Sequence, residues 1–374
     1  MKYKTYALGE LVQIKYGKNQ KKVLSEDGTI PIYGTGGLMG YATEALYDKP
    51  SVLIGRKGTI GKVRYVDHPF WTVDTLFYTI VNTELVLPKY LFYLMSQMDL
   101  NAYNEGTTIP SLRTETLNRL EFNIPSIEEQ KEVLSYLEPI DDKIQLNTEI
   151  NKNLLQQAMA TFGNTLQHSG SISYANLGTL GDIKGGKRLP KGTHLITEPN
   201  SHPYIRVRDL NNVVFASLSA DYEYVDDETQ KSISRYITSS GDVLISIVGT
   251  IGLTAIVDKS LDNANLTENC VKVTNLNGIS PEYLLLYLRS PAGIEAIQKG
   301  TVGAVQLKLP VKNIQAIPVP LLPKLEVEPL EQLLLAIFRQ IAANVKESKC
   351  LAETRDTLLP KLMSGELNVS NIDL

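Results

Sequence analysis

The sequence predicts an α+β protein in which two similar modules are each followed by a long helix. Three observations predict it: an internal repeat of two blocks, short β-rich segments around glycine turns, and apolar residues at alternating spacings of three and four. The repeat is considered first, because it decides how every other segment is assigned.

The repeat consists of two blocks in the same order. The matched pairs are 8–22 with 177–191 and 52–67 with 243–258, identical at more than half of their positions. The stretches between the blocks, 23–51 and 192–242, show little resemblance, and the second is longer. A duplicated framework around diverged segments suits two modules of one architecture that recognise two different targets.

Each module carries the signals of a β-hairpin and a short helix. The predicted strands are Val52–Ile54 and Val63–Val66 around Gly58–Gly61, and Val243–Val248 and Leu253–Val257 around Gly249–Gly252. Short helices are predicted to begin at Pro88 and Pro281, since proline is favoured in the first helical turn.

Two long helices are predicted after the modules. Ser126 and Glu129 have the spacing of a capping box, and a mostly apolar seam follows to Phe162. A second seam runs from Leu330 to Leu362, interrupted by polar residues, namely Asn344, Ser348 and Arg355. Seams of this coiled-coil type should pair with each other, and helices of about 35 residues extend roughly 50 Å. The alternative is that each helix packs only on its neighbouring module.

These patterns divide the chain into four predicted segments. They are the first module 1–125, a helix within 126–168, the second module 169–320, and a helix with the C-terminal tail within 321–374.

The composition indicates a soluble globular chain. Its 43% hydrophobic and 21% charged residues are typical of that class, and no apolar run reaches the roughly 20 residues of a membrane span. The N-terminus has no apolar signal region. Cys270 and Cys350 stand alone, as reduced thiols do, so we expect a cytoplasmic protein without a membrane anchor.

Motifs of known enzyme classes are missing from the sequence. It contains no Walker A motif, no nucleophile elbow and no zinc-protease motif, and its four histidines lack metal-ligand spacing. The glycine-rich run Gly34–Gly40 does not match a dinucleotide-binding fingerprint. Asp141–Lys143 faintly resembles part of a nuclease motif but falls on the helical seam. We therefore expect a non-catalytic chain that binds no metal or cofactor.

The basic residues are unevenly distributed, which matters more than the net charge of −4. Basic residues are in excess over 1–80, acidic residues over 126–168, and the second module has equal numbers of both. A basic run recurs in both copies, as Lys15, Lys18, Lys21 and Lys22 in the first and as Lys184, Lys187, Arg188 and Lys191 in the second. Gly17 and Gly186 within it permit a close approach of the backbone. The alternative is a solvated face, but a phosphate backbone is the natural ligand.

Further candidate contacts lie beside the glycine turn. In the first copy they are Arg56, Lys57, Lys62 and Arg64, which the second copy lacks. The second copy instead has Arg206 and Arg208, and arginine can pair with guanine. The alternative for these two is a strand face with Asp209 as their partner. Trp71 and most tyrosines are predicted to lie in the module cores.

Over essentially its full length the chain resembles a specificity subunit of a Type I restriction-modification system. The resemblance rests on the order and duplication of several motifs. They are the repeated L-G-x-L…I-K-x-G-K opening, the V-L-I…G-T-I-G hairpin, Gly106–Leu112 (GTTIPSL), Asn123–Gln130 (NIPSIEEQ) and Leu358–Leu367 (LLPKLMSGEL).

The resemblance implies two target-recognition domains joined by antiparallel helices in a pseudo-twofold arrangement. It implies a bipartite, asymmetric site in double-stranded DNA, with contacts from Thr107 and Thr108. It also implies partners: two modification subunits that flip and methylate adenine with S-adenosylmethionine, and restriction subunits that cut DNA with ATP and Mg²⁺. In the second copy Gly300 and Thr301 are not followed by T-I-P-S-L, so no contact role carries over to that loop.

Three other functions stay open at this point. One is the specificity subunit of a fused Type II-like system. Another is a scaffold whose two modules bind protein or glycan, for which binding would depend little on salt. In DNA binding, by contrast, each phosphate contact contributes about −0.9 to the slope of the log binding constant against the log salt concentration. The third is an unrecognised enzyme, for which the sequence shows no convergent titratable groups.

Overall fold

A computed structural model describes residues 3–219, 222–304 and 306–367. The chain forms two compact units. The first takes its residues from Met1–Leu146 and Glu347–Leu374, and the second is Asn147–Lys346.

The secondary structure repeats in the two units. The strands are β1 Lys4–Ala7, β2 Val12–Tyr16, β3 Ile30–Gly34, β4 Gly37–Ala42, β5 Ser51–Gly55, β6 Val63–Val66, β7 Trp71–Thr72, β8 Leu76–Val81, β9 Glu121–Ile124, β10 Ser173–Asn176, β11 Asp182–Gly185, β12 Tyr204–Ile205, β13 Phe215–Ala216, β14 Val243–Ser246, β15 Thr254–Val257, β16 Asn265–Leu266, β17 Cys270–Thr274 and β18 Pro318–Leu321. The helices are α1 Leu8–Leu11, α2 Pro88–Ser96, α3 Thr114–Asn118, α4 Ile127–His168, α5 Leu177–Leu180, α6 Asp227–Ile233, α7 Pro281–Arg289, α8 Pro291–Gly300, α9 Val311–Gln315 and α10 Lys324–Ser364. Short 3₁₀ turns are formed by Leu100–Tyr103, Val207–Leu210 and Lys259–Leu261.

The central sheet of the first unit has the strand order β2-β8-β5-β6, and β3 pairs with β4 and β7 in a second sheet. Strand β5 is buried along its whole length because both of its faces are covered. Successive side chains of a strand point to opposite faces. Val52 and Ile54 therefore pack with α2, and Leu53 packs with Phe70 and Tyr78.

The central sheet of the second unit has the order β11-β17-β14-β15, extended by β13. Its first four strands repeat the order of the first unit, with β14 in the place of β5. Strand β14 is again buried on both faces. Val243 and Ile245 pack with α7, and Leu244 packs with Leu210 and Leu261 on the other side. The repeated modules predicted from the sequence are thus repeated folds.

The predicted hairpins and short helices are confirmed. Strand β6 has the predicted bounds, and β5 is one residue longer at each end. In the second unit β14 ends at Ser246 and β15 begins at Thr254, because the turn between them takes up the residues predicted to be extended. The prolines predicted to begin helices are the first residues of α2 and α7.

The two long helices are confirmed, with 42 residues in α4 and 41 in α10. The predicted capping box is present at the start of α4. The amide of Ser126 donates to Glu129 Oε2 at 3.0 Å, and the amide of Glu129 donates to Ser126 Oγ at 3.3 Å. Two backbone donors that the first turn leaves without helical partners are satisfied in this way.

The helices pair with each other inside each unit. In the first unit Arg355 Nη1 lies 2.8 Å from Asp141 Oδ1, and Lys143 Nζ lies 3.4 Å from Glu347 Oε2. The residue numbers rise along α4 as they fall along α10, so the pairing is antiparallel.

In the second unit Asn344 Nδ2 donates to Asn151 Oδ1 at 2.8 Å, and Phe162 of α4 lies in one core cluster with Leu334 of α10. The core cluster of each unit contains residues of both helices and of the module, so each helix packs on the other helix and on its module. Packing on the module alone, the alternative from the sequence, is therefore wrong.

Asp141 is a structural residue, as its place on the seam indicates. It accepts a hydrogen bond from Tyr93 Oη at 2.5 Å, and its other oxygen binds Arg355. Within the described residues no group of three or more His, Cys, Asp or Glu side chains is arranged to hold a metal ion. In the same part of the chain, no helix is long and apolar enough to cross a membrane. Trp71 is buried, as predicted.

The two thiols are expected to differ in reactivity. Cys270 is buried and Cys350 is exposed, and neither is in a disulfide. Burial raises the pKa of Cys270 to about 12, so its reactive thiolate is scarce at mildly alkaline pH. An aromatic disulfide reagent should therefore titrate Cys350 quickly in the native protein and both thiols after denaturation. Equal rates for both thiols in the native protein would contradict the buried position of Cys270.

Candidate nucleic-acid interface

The basic run of the first module begins on β2 and continues into the following loop. Lys15 lies on β2, and the amides of Gly17 and Lys18 donate to Leu76 O at 3.0 Å and to Thr72 O at 2.9 Å. Trp71 Nε1 donates to Lys18 O at 2.9 Å. These bonds attach the start of the loop to the segment 72–76.

The second module holds its basic run with equivalent bonds. The amides of Gly186 and Lys187 donate to Cys270 O at 3.0 Å and to Leu266 O at 2.8 Å. Tyr204 Oη donates to Lys187 O at 2.9 Å, in place of the tryptophan. The segment 266–270 thus corresponds to 72–76.

The two glycines in these runs are required by the fold of the module itself. A Cβ on Gly17 would lie 2.0 Å from Val73 O, and a Cβ on Gly186 would lie 2.0 Å from Thr267 O. Real side chains cannot approach a carbonyl oxygen so closely. The close approach predicted from the sequence is therefore to the protein's own backbone, which turns the loop and presents its lysines.

The side chains of the first basic run are all exposed, namely Lys15, Lys18, Lys21 and Lys22. Within the described part of the chain none of the four ammonium groups has an acidic partner. A cluster of exposed cations without acidic partners attracts a phosphate backbone.

The second run is more engaged with the protein. Lys184 Nζ lies 3.3 Å from Asp182 Oδ2, and Arg188 Nε lies 2.8 Å from Glu268 Oε1. A hydrogen bond from Asn275, followed by the one from Lys184, lowers the pKa of Asp182. Lys187 Nζ lies 5.5 Å from the ring centroid of Tyr236. The exposed Lys191 completes the run.

The cations beside the first glycine turn are spread along the β5–β6 hairpin. Arg56 is half-buried, and its Nη1 donates to Asp74 O at 2.8 Å. Lys57, Lys62 and Arg64 are exposed, and the Arg64 guanidinium carbon lies 5.2 Å from the ring centroid of Tyr33.

The structure brings Thr107 and Thr108 next to this turn. Both are exposed in a compact loop in which Asn104 Oδ1 accepts from the amides of Gly106 and Ser111, each at 2.9 Å. The amide of Gly58 donates to Pro110 O at 2.9 Å, which attaches the loop to the glycine turn. Lys57 and the two threonines therefore share one edge of the module.

A hairpin that the sequence analysis missed joins the same edge. Strands β3 and β4 bring Thr35 and Gly37 to the glycine turn: a Cβ on Gly58 would lie 4.0 Å from Thr35 Oγ1, and a Cβ on Gly37 would lie 3.3 Å from Arg64 Nη2. Leu38 and Met39 next to the hairpin turn are exposed. The sequence signal for this hairpin is the run Gly34–Gly40, since glycine-rich runs mark hairpin turns as well as nucleotide-binding loops.

Arg206 and Arg208 are paired within the second module. Both contact Glu223, with Arg208 Nη2 at 2.9 Å from Glu223 Oε2, and Arg208 Nε lies 3.5 Å from Asp209 Oδ1. They lie at a 3₁₀ turn that follows β12. Burial lowers the pKa of Arg206 and raises that of Asp209. The alternative from the sequence, a strand face with Asp209 as partner, is correct only for the ion pair of Arg208 with Asp209. The residues lie at a turn, and the partner that both share is Glu223.

Comparison with known proteins identifies related sequences over most of the chain. A family model described as the Type I restriction modification DNA specificity domain matches residues 1–156 and 173–347. The HindI specificity subunit of Haemophilus influenzae is 24% identical over 390 residues, covering 82% of this chain and 84% of that protein. The MjaIX specificity subunit of Methanocaldococcus jannaschii is 22% identical over 358 residues, covering 87% and 80%.

One solved structure supports the fold of the chain. The S subunit of a Type I restriction-modification system from M. genitalium superimposes with a TM-score of 0.56 at 18% sequence identity. The match covers 97% of this chain and 96% of that one.

Proposed function

Since the chain belongs to the family of Type I restriction-modification DNA specificity domains and is a specificity subunit of that kind, we propose that it reads a bipartite, asymmetric DNA site. In this proposal 1–125 and 169–320 are the target-recognition domains, and each binds one half-site. The helices within 126–168 and 321–374 set the distance between the half-sites. A distance near one duplex turn, about 34–36 Å, would let both domains bind one face of the DNA.

One observation carries the proposal: both modules present a basic loop that is held by the same set of backbone hydrogen bonds. Gly17 and Lys18 bind the segment 72–76 just as Gly186 and Lys187 bind 266–270. Contacts to phosphates position a protein on DNA but carry no sequence information. A shared phosphate-binding frame with diverged segments beside it therefore supports two domains that bind DNA alike and read different bases.

We assign the reaction chemistry to partner subunits. The chain would dock two methyltransferase subunits, which use S-adenosylmethionine, and restriction subunits, which use ATP and Mg²⁺. Exposed apolar side chains on α10 support a docking role for the helices, among them Leu325, Leu333 and Leu335. Exposed leucines on a helix are typical of surfaces that another protein covers.

The decisive experiment is co-expression of this chain with the methyltransferase subunit proposed as its partner, followed by genome-wide mapping of methylated adenines. A split, asymmetric motif with a constant gap is the expected result. A stable complex without methylation would indicate an inactive system or a different catalytic partner, and the absence of any complex would favour a scaffold.

Exchanging the divergent segment 23–51 should change one half-site only. This segment contains the hairpin of β3 and β4, and a two-stranded ribbon fits a major groove. Replacing it with the equivalent segment of a relative should give a new motif in which the other half and the gap are unchanged. The matched control exchanges 192–242 and should alter the opposite half. A change in both half-sites, or in neither, would contradict the assignment of one half-site to each module.

A further inference from the structure

Two loops occupy the same place in the two modules. The first follows the 3₁₀ turn Leu100–Tyr103 and the second follows α8. In the first module the amide of Leu112 donates to Arg56 O at 3.0 Å, and the amide of Glu105 donates to Ser111 O at 2.9 Å. In the second module the amide of Leu309 donates to Ile247 O at 3.0 Å, and the amide of Val302 donates to Lys308 O at 2.8 Å.

These bonds set the correspondence of the loops residue by residue. Arg56 and Ile247 are matched by the repeat, so Leu112 corresponds to Leu309 and Glu105 to Val302. Gly106 then corresponds to Gly303. A Cβ on Gly106 would lie 1.9 Å from Ile109 O, and a Cβ on Gly303 would lie 2.3 Å from Gln306 O, at the equivalent position.

The sequence-based pairing of Gly300 with Gly106 is therefore wrong by three residues. Gly300 is the last residue of α8, and the loop begins beyond it. The second module has the counterpart of the Thr107 loop after all, with different side chains.

In the two modules a lysine lies on opposite strands of an equivalent backbone bridge. In the first module Lys57 of the glycine turn forms an antiparallel bridge with Ser111 of the loop. In the second module the equivalent bridge joins Val248 and Lys308. Residues opposite each other in an antiparallel bridge project to the same face, with Cβ atoms about 4.5–5.5 Å apart. Each module thus places one lysine at this spot, from opposite sides of the bridge.

Both lysines lie beside the basic runs. The amide of Arg56 donates to Thr75 O at 2.8 Å, within the segment that also binds Gly17 and Lys18. The amide of Ile247 donates to Asn269 O at 2.8 Å, within the segment that binds Gly186 and Lys187. The bridge and the basic run are therefore neighbours on the same segment in each module.

The two lysines are also available to a ligand. Lys57 and Lys308 are exposed, and among the residues that the structure describes neither ammonium group has an acidic partner. Arg206 and Arg208, which the second copy has instead of the four hairpin cations of the first, form ion pairs with Glu223 and Asp209.

We propose that Lys308 is the second module's equivalent of Lys57 and that each lysine binds a DNA phosphate in its half-site. This inference rests on the proposed DNA-binding function. It gives the second module, whose net charge is zero, a phosphate contact on the loop that follows α8.

The test measures the salt dependence of DNA binding by the full chain in complex with its methyltransferase. The probe is a labelled duplex carrying the mapped motif, or a random-sequence duplex if no motif emerges. Lys308→Ala should make the slope of the log binding constant against the log salt concentration shallower by about 0.9. That change corresponds to about fivefold weaker binding near physiological salt. Lys57→Ala should do the same. Combining Val248→Lys with Lys308→Val moves the lysine back across the bridge and should restore the wild-type slope.

The matched control is Lys259→Ala, since Lys259 is exposed and follows the end of β15 that is remote from the glycine turn. It should leave the slope unchanged. Lys308→Gln, which preserves the aliphatic stem, separates charge loss from misfolding. If Lys308→Ala and Lys259→Ala behave alike while the wild-type slope is steep, Lys308 is not a phosphate contact and the DNA-binding function stands. A wild-type slope near zero would overturn both.

Discussion

Replacing Lys15, Lys18 and Lys22 together with alanine should reduce the salt slope of DNA binding by up to about three units. Each phosphate contact releases counterions that contribute a slope of about 0.9, so three contacts contribute about 2.7. The same slope corresponds to about two orders of magnitude in affinity near physiological salt. The three side chains are exposed, so their removal should leave the fold intact.

The measurement is a titration of labelled duplex at several salt concentrations. A matched control removes the same charge elsewhere, by alanine at three exposed positions, Lys231, Lys259 and Lys324. The control should change the slope much less than the triple variant of the basic run. An unchanged slope in the latter would rule out phosphate contacts by this run, and a weak slope in the wild-type protein would favour a protein-binding scaffold.

Phe162→Ala should destabilise the second unit by about 3–5 kcal/mol, the usual cost of removing a buried aromatic ring. Phe162 is 1% exposed on α4, and its ring meets the ring of Tyr283 with centroids 4.9 Å apart. It belongs to the core cluster that joins α4, α10 and the sheet of that unit. The cavity left by the ring would therefore weaken the packing of α4 on the module and its packing on α10.

Denaturant unfolding followed by circular dichroism would measure this loss, with hydrogen exchange to locate it. Phe162→Leu keeps most of the volume and should cost clearly less. Leu325→Ala is the control, because Leu325 is 88% exposed and surface substitutions usually change stability by less than about 0.5 kcal/mol. Protection lost in the first unit, with the second unit unchanged, would contradict the assignment of Phe162 to the second core.

The polar residues of the helix seam illustrate how far sequence reasoning extends. The spacing predicted the seam and its interruptions at Asn344 and Arg355. The structure adds their partners, Asn151 and Asp141, which lie on the other helix. A polar pair within an apolar seam disfavours other registers, since a shift would leave each group without its partner. Partner identity depends on how two distant segments align, which no local pattern encodes.

The sequence by itself determined the duplicated modules, the glycine-turn hairpins, the proline-initiated short helices, the two long helices with the capping box of the first, and the family. The structural features follow from periodicity and turn chemistry, which act over a few neighbouring residues, and the family follows from the resemblance of the repeated motifs. They are also the features on which the proposed function rests.

Only the tertiary structure decided what the individual site residues contact. Gly17 approaches its own module's backbone, Arg206 pairs with Glu223, and Lys308 stands opposite Val248 where the first module has Ser111 opposite Lys57. Each of these contacts joins residues that are far apart in the chain. Strand register and core packing bring them together, so residue identity and spacing could not predict them.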